Sequence, residues 1–446
     1  MKGIMQTAPK KELSVFDSTC IIVGIIIGAG IYETAPMVAG CMGSWTGTLG
    51  IWLVGGLLAL AGALCYAELA TTYPLEGGDY VYLSRAYGGF AGYIFGWSQL
   101  VVIRPGDIAM MAFIFSRYAQ QLNAPFAHSG TIYAAGVIVV LTGVNILGVK
   151  QGKWTQNFLT VVKAAGLLSI VAVGLLAKGS GQTSSAPGGL TMGGFELALI
   201  LVLFTFGGWN EMAYVAAEVK RPEKNIVRAL VIGTTAVTAL YLLVNGTFVY
   251  VLGYAKMAGS EAVAVDTVAA VFPEIAGRAI SVLICISTLG AVNGLVFTGS
   301  RISYAMGSEH AVFRVLGRWN ERCGTPVWAL LFQGCLSLAI VLLAGSFIDT
   351  ILYTAPVVWV FFLATSLSVF VLRRKEPQTL RPYKVTGYPV TTIIFCACCI
   401  FMFYNCVSYA LANKPKGLIV SSGFLLAGLF VYVLTNIRSS AQRREG

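Results

Sequence analysis

The sequence predicts an all-α integral membrane protein with 12 transmembrane helices. Of its 446 residues, 57% are hydrophobic and 11% are charged, whereas soluble proteins carry roughly 25% charged residues. Apolar runs of about 20 residues, the length that crosses a bilayer, recur along the whole chain. Glycine-containing interruptions occur in two of these runs. Together these observations predict a helical bundle in which the first and sixth spans are discontinuous.

Apolar runs define the order of the predicted spans. They lie at residues 19–41, 47–71, 88–116, 131–149, 157–177, 195–217, 229–252, 277–300, 327–345, 350–372, 387–411 and 417–437. Five spans, five more of opposite orientation and two extra spans are a natural count for an inverted repeat. The single membrane domain, 1–446, is therefore divided into repeat units at about 14–180 and 194–375, with two additional helices at about 387–437.

The distribution of basic residues predicts the orientation of the spans. With the N-terminus inside, 22 of the 30 Lys and Arg residues fall in cytoplasmic segments, 6 in external segments and 2 within spans. This bias follows the positive-inside rule and predicts that both termini are cytoplasmic, in a plasma or bacterial inner membrane. The net charge of +11 is therefore attributed to topology, and no nucleic-acid partner is predicted.

Several other classes of protein are disfavoured by residue usage. The first apolar run starts near Cys20 and is long enough to span, so no removable signal peptide is predicted. The ten cysteines are scattered, and His128 and His310 are the only histidines, so we expect no metal site and no cofactor. Catalytic clusters of His, Cys or acidic residues are not evident in the sequence, so an enzyme is not predicted.

The first span contains an interruption at Gly28-Ala29-Gly30, followed at once by Tyr32 and Glu33. Glycines lower helix propensity and allow the backbone to unwind. Unwinding at membrane depth is tolerated only where the freed backbone groups line a protein cavity. The alternative is that the glycines of this span form a close helix-packing face.

The sixth span contains a second interruption, Phe206-Gly207-Gly208-Trp209-Asn210. Two broken spans at corresponding positions of two halves indicate the substrate site of a transporter. The aromatic residues beside this break either pack in the core or cover a pocket. The sequence therefore predicts a transporter of a small molecule.

The directions of the two broken spans favour a zwitterionic substrate. Span one runs outward, so its second half begins after Gly30 and presents N–H groups and a positive dipole end, which bind a carboxylate. Span six runs inward, so its first half ends near Phe206 and presents carbonyl groups that suit an ammonium. An amino acid matches both ends, and the lack of a large polar pocket in the sequence pattern favours a small or apolar side chain.

Ionisable residues within spans are candidates for function, because a buried charge is costly unless it is paired or hydrated. Arg104 and Asp107 in span three are three residues apart, share a helix face and could neutralise one another. Lys163 in span five either snorkels to the cytoplasmic interface or is a buried cation beside the first break that couples transport to protons. Glu68 is either a gate residue paired with a basic side chain or a solvated carboxylate.

Four motifs, taken in order, resemble those of the amino acid–polyamine–organocation superfamily. They are Gly24-Ile-Ile-Ile-Gly28-Ala29-Gly30-Ile-Tyr, Tyr66-Ala-Glu68-Leu through Gly77-Gly78-Asp79-Tyr80, Phe206-Gly-Gly-Trp-Asn210 with Glu218 and Pro222, and Asn293-Gly294 to Arg301. Arg104-Pro105 and Lys163 resemble the L-amino acid transporter branch and its bacterial relatives most. The likeness covers about residues 14–440.

The resemblance implies a leucine-transporter-type fold with a five-plus-five inverted repeat and alternating access. The substrate-binding residues that it implies are Ile26, Gly28, Ala29, Gly30, Phe204, Thr205, Phe206, Gly207 and Gly208. Those of the first break would bind the substrate carboxylate, and carbonyls of the second break its amino group. The position of Phe204 matches an external gate. Lys163 matches a lysine that replaces a sodium ion near Gly28 and Ser287, which argues against sodium dependence.

The sequence departs from the family pattern at Glu33, Asp107 and Glu211. These acidic residues leave open a cationic substrate. The residues predicted to act in gating or specificity are Glu33, Arg104, Asp107, Trp209, Asn210, Glu211 and Asn293. Heteromeric members of the branch join a single-span glycoprotein through a cysteine between spans three and four. The corresponding loop, about 117–130, has no cysteine, so no disulfide-linked glycoprotein partner is predicted.

The functional prediction is a sodium-independent secondary transporter of small or neutral L-amino acids, acting as an exchanger or a proton-coupled symporter. Its partners would be the amino acid substrate and the lipid bilayer. The first alternative is an antiporter of cationic amino acids or polyamines with the same fold. The second alternative is a substrate-sensing membrane receptor, which would bind the same ligand without transporting it.

Overall fold

The computed structural model describes residues 9–126, 128–177, 179, 192–343, 347–413 and 422–434. Their regular structure is helical, and backbone pairing of the β type is limited in this part of the chain to three isolated bridges. The helices are α1 (Val15–Ile26), α2 (Gly30–Met42), α3 (Trp45–Thr72), α4 (Asp79–Tyr87), α5 (Gly89–Ser98), α6 (Arg104–Leu122), α7 (Ser129–Leu147), α8 (Val149–Leu176), α9 (Met192–Thr205), α10 (Pro222–Leu252), α11 (Tyr254–Ala258), α12 (Val263–Ala269), α13 (Ala276–Glu309), α14 (Val327–Leu343), α15 (Phe347–Lys375), α16 (Val390–Asn413) and α17 (Ser422–Leu434).

The helices that are long and apolar enough to cross a membrane number eight among the described residues, or up to nine if α1 and α2 form one bent span. Three shorter apolar helices, Gly193–Thr205, Val327–Leu343 and Ser422–Leu434, lie where the sequence predicts further spans. The structure therefore confirms a multi-spanning helical protein, and the count of twelve stays a prediction. Both chain ends lie outside the described residues.

The first span is interrupted between α1 and α2, whose axes bend by 51°. The start of α1 is set by a capping box, in which Ser14 and Asp17 satisfy each other's backbone amides. The helix ends at Ile26, and α2 begins at Gly30. The intervening residues correspond to the predicted break.

The sixth span is interrupted after α9. The chain turns at Phe206–Asn210, forms two short 3₁₀ turns at Glu211–Tyr214 and Ala216–Glu218, and enters α10 at Pro222. The second half of the sixth span forms turns instead of a continuous α-helix. Its backbone groups therefore do not all have hydrogen-bond partners within one helix. The second break also coincides with the predicted one.

The two broken spans lie at the centre of the bundle. Helix α1 packs against α8, α10 and α13, and α2 packs against α9. Helix α6 continues α5 through a π-helical turn at Gln99–Ile103 and packs against α13. A π-helical turn in a span is frequent beside functional residues, and here it ends next to Arg104.

Candidate functional site

Helix α2 opens the first break with unpaired backbone donors. The amides of Tyr32 and Glu33 both donate to the Ala29 carbonyl, at 3.0 and 3.2 Å. The amides of Gly30 and Ile31 come before them, and the first N–H groups of a helix have no acceptor within it. This end of α2 can therefore bind an anionic group.

Side-chain donors satisfy the carbonyl groups on the other side of this break. The buried Lys163 ammonium donates to the carbonyls of Gly24, Ile27 and Ser287, at 2.5, 2.9 and 2.9 Å. The Ser287 hydroxyl donates to the carbonyls of Ile27 and Gly28 at 3.1 and 3.2 Å. The structure thus brings Lys163 and Ser287 to the break, and Lys163 does not snorkel to the interface.

Tyr241 completes this set of donors, because its hydroxyl donates to the Ile26 carbonyl at 2.9 Å. This residue was not predicted from the sequence. Tyr241 lies 215 positions after Ile26, and no local spacing signals the contact.

The glycines of the first span have different roles. A methyl group placed on Gly24 would lie 2.1 Å from Gln156 Nε2 and 2.3 Å from Thr160 Oγ1. A methyl group on Gly28 would instead meet Met111 Sδ and Cε at 3.6 Å, an ordinary contact distance. Gly24 is therefore a close-packing position, as the alternative interpretation holds, whereas Gly28 belongs to the break.

The second break lies directly beside the first. The Thr205 hydroxyl is 2.9 Å from the hydroxyl of Thr34 in α2, and Thr205 Cγ2 would be 3.0 Å from a methyl group on Gly30. Gly208 has a φ of +113°, and a methyl group on it would lie 2.6 Å from Ile25 Cγ2. The end of α9 and the start of α2 are consequently held side by side.

An open space adjoins both breaks. Gly207 is exposed although it lies in the middle of a span, and Phe204, Gly208, Gly30 and Met111 are partly exposed. Within 4 Å, a methyl group on Gly207 would meet only the Phe204 carbonyl oxygen, at 3.0 Å. From these exposures we infer an open cavity beside the two breaks, bordered by their backbone donors and acceptors.

The side chains of other predicted substrate residues are buried in the core. The Phe206 ring is fully buried and packs 5.3 Å from the Tyr241 ring and 6.2 Å from the Trp52 ring. Ile26 and Ala29 are also buried. Of the two aromatic residues before the second break, Phe206 packs in the core and Phe204 lies at the cavity.

The charges near the cavity are paired differently from the sequence prediction. Arg104 binds Glu211 at 2.7 Å, and both side chains are buried. The Thr298 hydroxyl donates to the second oxygen of Glu211 at 2.6 Å. Arg104 and Asp107, which could neutralise one another on one helix face, form no ion pair within 4 Å, because the second break brings Glu211 to the Arg104 guanidinium. Asp107 is partly exposed.

Three residues predicted to act in gating or specificity lie in packed polar or aromatic contacts instead of at the cavity surface. Trp209 is buried against the ring of Tyr66, 5.0 Å away. The Asn210 side-chain amide donates to the Tyr214 hydroxyl at 2.8 Å. The fully buried Asn293 donates to Gln156, Oε1, at 2.8 Å.

Glu33 forms an ion pair at the predicted external end of the bundle. Its carboxylate binds Arg117 and accepts a hydrogen bond from the Tyr118 hydroxyl at 2.6 Å. Both charged side chains are substantially exposed, 35% for Glu33 and 55% for Arg117. This contact joins α2 to α6 and is weakened by water.

The opposite end of the bundle is closed by a contact that we call the inner clasp, formed by Leu13, Glu218, Val219 and Arg301. Glu218 binds Arg301 at 2.7 Å, and both side chains are almost fully buried. The amide of Leu13 donates to the Glu218 carbonyl at 2.9 Å, and Leu13 forms a bridge with Val219. The segment before α1 is thereby attached to the end of the sixth span.

Glu76 lies near the inner clasp, and Glu68 forms a separate contact with the C-terminal part of the bundle. Burial, together with the charge of Glu218, raises the pKa of Glu76 to about 7. Glu68 is buried and binds Arg373 at 2.5 Å. This contact favours a carboxylate paired with a basic side chain, as a gate residue would be, over a solvated carboxylate. The Val385 amide also donates to Glu68 at 2.7 Å. These partners are more than 300 residues apart in the chain.

The described residues contain no group of three or more His, Cys, Asp and Glu side chains that could hold a metal ion. The two breaks offer backbone amides and carbonyl groups. This arrangement can bind a small zwitterion and lacks a nucleophile paired with a base.

Comparison with known proteins identifies similar sequences over almost the whole chain. A family model described as amino acid permease matches residues 13–435. The b(0,+)-type amino acid transporter 1 of Homo sapiens is 32% identical over 455 residues, covering 97% of this chain and 90% of the relative. Its counterpart from Oryctolagus cuniculus is 33% identical over 405 residues, covering 86% and 81%. The Large neutral amino acids transporter small subunit 2 of Mus musculus is 32% identical over 443 residues, covering 96% and 81%.

Proposed function

Because the chain belongs to the amino acid permease family, we propose that it carries small or neutral L-amino acids across the cell membrane by alternating access. The observation that carries this proposal is the pair of adjacent helix breaks at one cavity. The start of α2 offers N–H donors for a carboxylate, and the end of α9 offers carbonyl acceptors for an ammonium. Both lie within reach of the open space beside Gly207.

The side chains around this space support a neutral substrate. Phe204 and Met111 are apolar and partly exposed to the cavity, so they can cover an aliphatic side chain. Gly207 leaves additional room because it carries no side chain. The Arg104–Glu211 pair neutralises itself, so it does not require a charged ligand.

Sodium-independent transport is supported by the contacts of Lys163. Its ammonium occupies a position where three backbone carbonyls converge with the Ser287 hydroxyl close by. Carbonyl and hydroxyl oxygens of this kind are ligands for a hard cation. The protein's own cation fills the position, so transport is proposed to run by exchange or by proton coupling without sodium.

The architecture that goes with this function is the predicted twelve-span, leucine-transporter-type fold. The repeat units at about 14–180 and 194–375 each begin with a broken span, and both termini are assigned to the cytoplasm. The loop at about 117–130 has no cysteine, so we propose that the protein works without a disulfide-linked partner.

The test is uptake into proteoliposomes that contain the purified full chain, with labelled L-leucine and L-alanine. Uptake is measured with and without unlabelled amino acid inside and with and without an inward proton gradient, always in sodium-free buffer. Exchange predicts uptake that needs internal amino acid, and symport predicts uptake driven by the gradient alone. Lys163→Ala is expected to abolish uptake, because three buried carbonyls lose a charged donor.

The control variant is Glu223→Gln, which changes an exposed acid remote from the cavity and is expected to behave as wild type. A requirement for sodium would contradict the role given to Lys163. Saturable binding of leucine without any flux would favour a sensing receptor. Transport of lysine, arginine or a polyamine with no transport of neutral amino acids would replace the proposed substrate class.

A further inference from the structure

The loop between α3 and α4 lies against the inner clasp, at the predicted cytoplasmic end of the bundle. Glu76 of this loop forms an isolated antiparallel bridge with Val215. A methyl group on the adjacent Gly77 would lie 2.6 Å from Ala305 Cβ in α13. The loop therefore lies between the second half of the sixth span and α13, the two elements that the inner clasp joins.

The Glu76 side chain is buried with an unsatisfied oxygen. Among the described residues, Glu76 Oε1 has no hydrogen-bond partner, and no cationic nitrogen lies within 4 Å of the carboxyl. Most buried polar atoms have a partner, and a buried carboxylate without a cation is costly. A bound proton lowers this cost, because burial disfavours the charged form of a carboxyl group.

The buried cation of the inner clasp, Arg301, is committed to other acceptors. Its Nε and Nη2 donate to the two oxygens of Glu218 at 2.7 and 3.2 Å. Its Nη1 donates to the Phe297 carbonyl at 2.9 Å and to the Ser300 hydroxyl at 3.0 Å. Glu76 and Glu218 thus lie near one buried guanidinium, and Glu218 is its partner.

The charged groups that act on Glu76 belong to the inner clasp. Burial and then the Glu218 charge raise the pKa of Glu76 to about 7, against the lowering effect of Arg301. In α13 the Tyr304 side chain also interacts electrostatically with Glu76. Asp79, at the start of α4, instead accepts hydrogen bonds from two tyrosine hydroxyls. Glu76 is therefore an acid whose charge opposes closure of the inner clasp.

We propose that Glu76 binds a proton from the cytoplasmic side and that this proton holds the inner clasp closed, so that cytoplasmic acid slows transport. The inference rests on the proposed alternating access and on the cytoplasmic assignment of this end. In the closed form, the neutral carboxyl avoids a second buried negative charge beside Glu218. When the inner clasp opens, water reaches the loop and the carboxyl releases its proton, because hydration stabilises the charged form.

The direction of the pH effect follows from the linkage between proton binding and conformation. The pKa of Glu76 is about 7 in the closed form, and 4.5 is the ordinary value for a hydrated glutamate. Between these values the closed form binds more protons than the open form, so acid favours closure. Lowering the cytoplasmic pH from 8 to 6 is expected to reduce the ratio of open to closed molecules about tenfold.

Thiol labelling in inside-out membrane vesicles tests this proposal, because the bath then contacts the cytoplasmic face. The reporter is Ser303→Cys, a buried position in the inner half of α13, labelled with an impermeant reagent at bath pH 6 and 8. It is measured alone and together with Glu76→Gln, Glu76→Asp, Glu218→Gln or the control Glu223→Gln. The ionisation of the thiol affects every variant alike, so ratios of labelling rates report the inner clasp. The chain without the reporter gives the background from native cysteines.

The labelling rate of the reporter alone, divided by its rate with Glu76→Gln, is expected to be about tenfold greater at pH 8 than at pH 6. Glu76→Asp and the control should retain the pH effect of the reporter alone. Glu218→Gln should remove most of it, because it deletes the like charge and frees Arg301 for Glu76. This variant tests the proposal independently of the folding of Glu76→Gln, and size-exclusion profiles verify that each variant is folded.

The outcomes distinguish this inference from the function on which it rests. A rate ratio between the reporter alone and Glu76→Gln that is the same at both pH values would overturn the role of Glu76 and assign it to packing. An unchanged pH effect in Glu218→Gln would overturn it as well. Labelling requires no transported substrate. A pH-dependent ratio in a chain that moves no amino acid would therefore support the proton site and contradict the proposed transport.

Discussion

Gly207 and Gly208 are adjacent in the second break but meet different surroundings. Gly208 has a positive φ of +113°, a conformation that side chains with a Cβ rarely adopt, and it packs on Ile25. Gly207 has ordinary backbone geometry and faces the cavity. Gly207 therefore leaves space for a ligand, and Gly208 allows the broken spans to approach one another.

This difference predicts opposite effects of two alanine substitutions. Gly208→Ala should lower the stability by on the order of 2–4 kcal/mol, because it adds backbone strain and a clash with Ile25. Gly207→Ala should remain folded and instead change the KM for amino acids with long side chains. Thermal unfolding in detergent and uptake measure the two effects. A Gly208→Ala variant with wild-type melting temperature and uptake would refute this account.

At the scale of elements, buried ion pairs hold the second half of the sixth span in place. The Arg104–Glu211 pair attaches it to α6, and the Glu218–Arg301 pair of the inner clasp attaches it to α13. A turned segment has few internal hydrogen bonds, so such contacts determine its position. Burying these charges is costly unless each retains its partner.

The inner clasp is expected to show strong coupling in a double-mutant cycle. Arg301→Gln should cost about 3–5 kcal/mol, because it leaves the buried Glu218 without its cation. The double variant with Glu218→Gln should cost less than the sum of the two single variants. The exposed Arg85–Glu376 pair, 3.4 Å apart with side chains 44% and 31% exposed, is the control and should show coupling below about 1 kcal/mol.

Thermal unfolding of the four variants of each pair supplies the coupling energies. Additive effects at Glu218 and Arg301 would show that the clasp does not act as a pair. Coupling of similar size in the exposed control pair would also contradict the argument from burial.

At the scale of the whole molecule, the two ends of the bundle are closed to different degrees. The predicted cytoplasmic end has the buried Glu218–Arg301 pair and the Glu68–Arg373 pair. The predicted external end has the Glu33–Arg117 pair, which is substantially exposed. We therefore expect the cavity to be reached from the external side in this conformation, with the inner clasp opening later in the cycle.

Labelling of single introduced cysteines tests this asymmetry. Met111→Cys should react with a membrane-impermeant thiol reagent added outside intact cells, and L-leucine should slow the reaction. Ser303→Cys, buried in the inner half of α13, should stay unreactive. The wild type, with its native cysteines, gives the background. Labelling of Met111→Cys from the cytoplasmic side alone would reverse the assignment.

Hydrophobicity and glycine position are properties of short stretches, so the sequence alone was enough to predict a membrane-spanning helical protein and the positions of both helix breaks. Motif likeness was enough to indicate the amino acid permease family, which the comparisons confirm. The contact of Lys163 with the first break also followed from that likeness.

Only the tertiary structure decided which charges are partners. From the sequence, Arg104 could pair with Asp107 three residues away, but it binds Glu211 from another span. The pairs Glu218–Arg301 and Glu68–Arg373 join residues far apart in the chain. Coulombic pairing depends on distance in space, and a sequence specifies distance only within a helix turn or two.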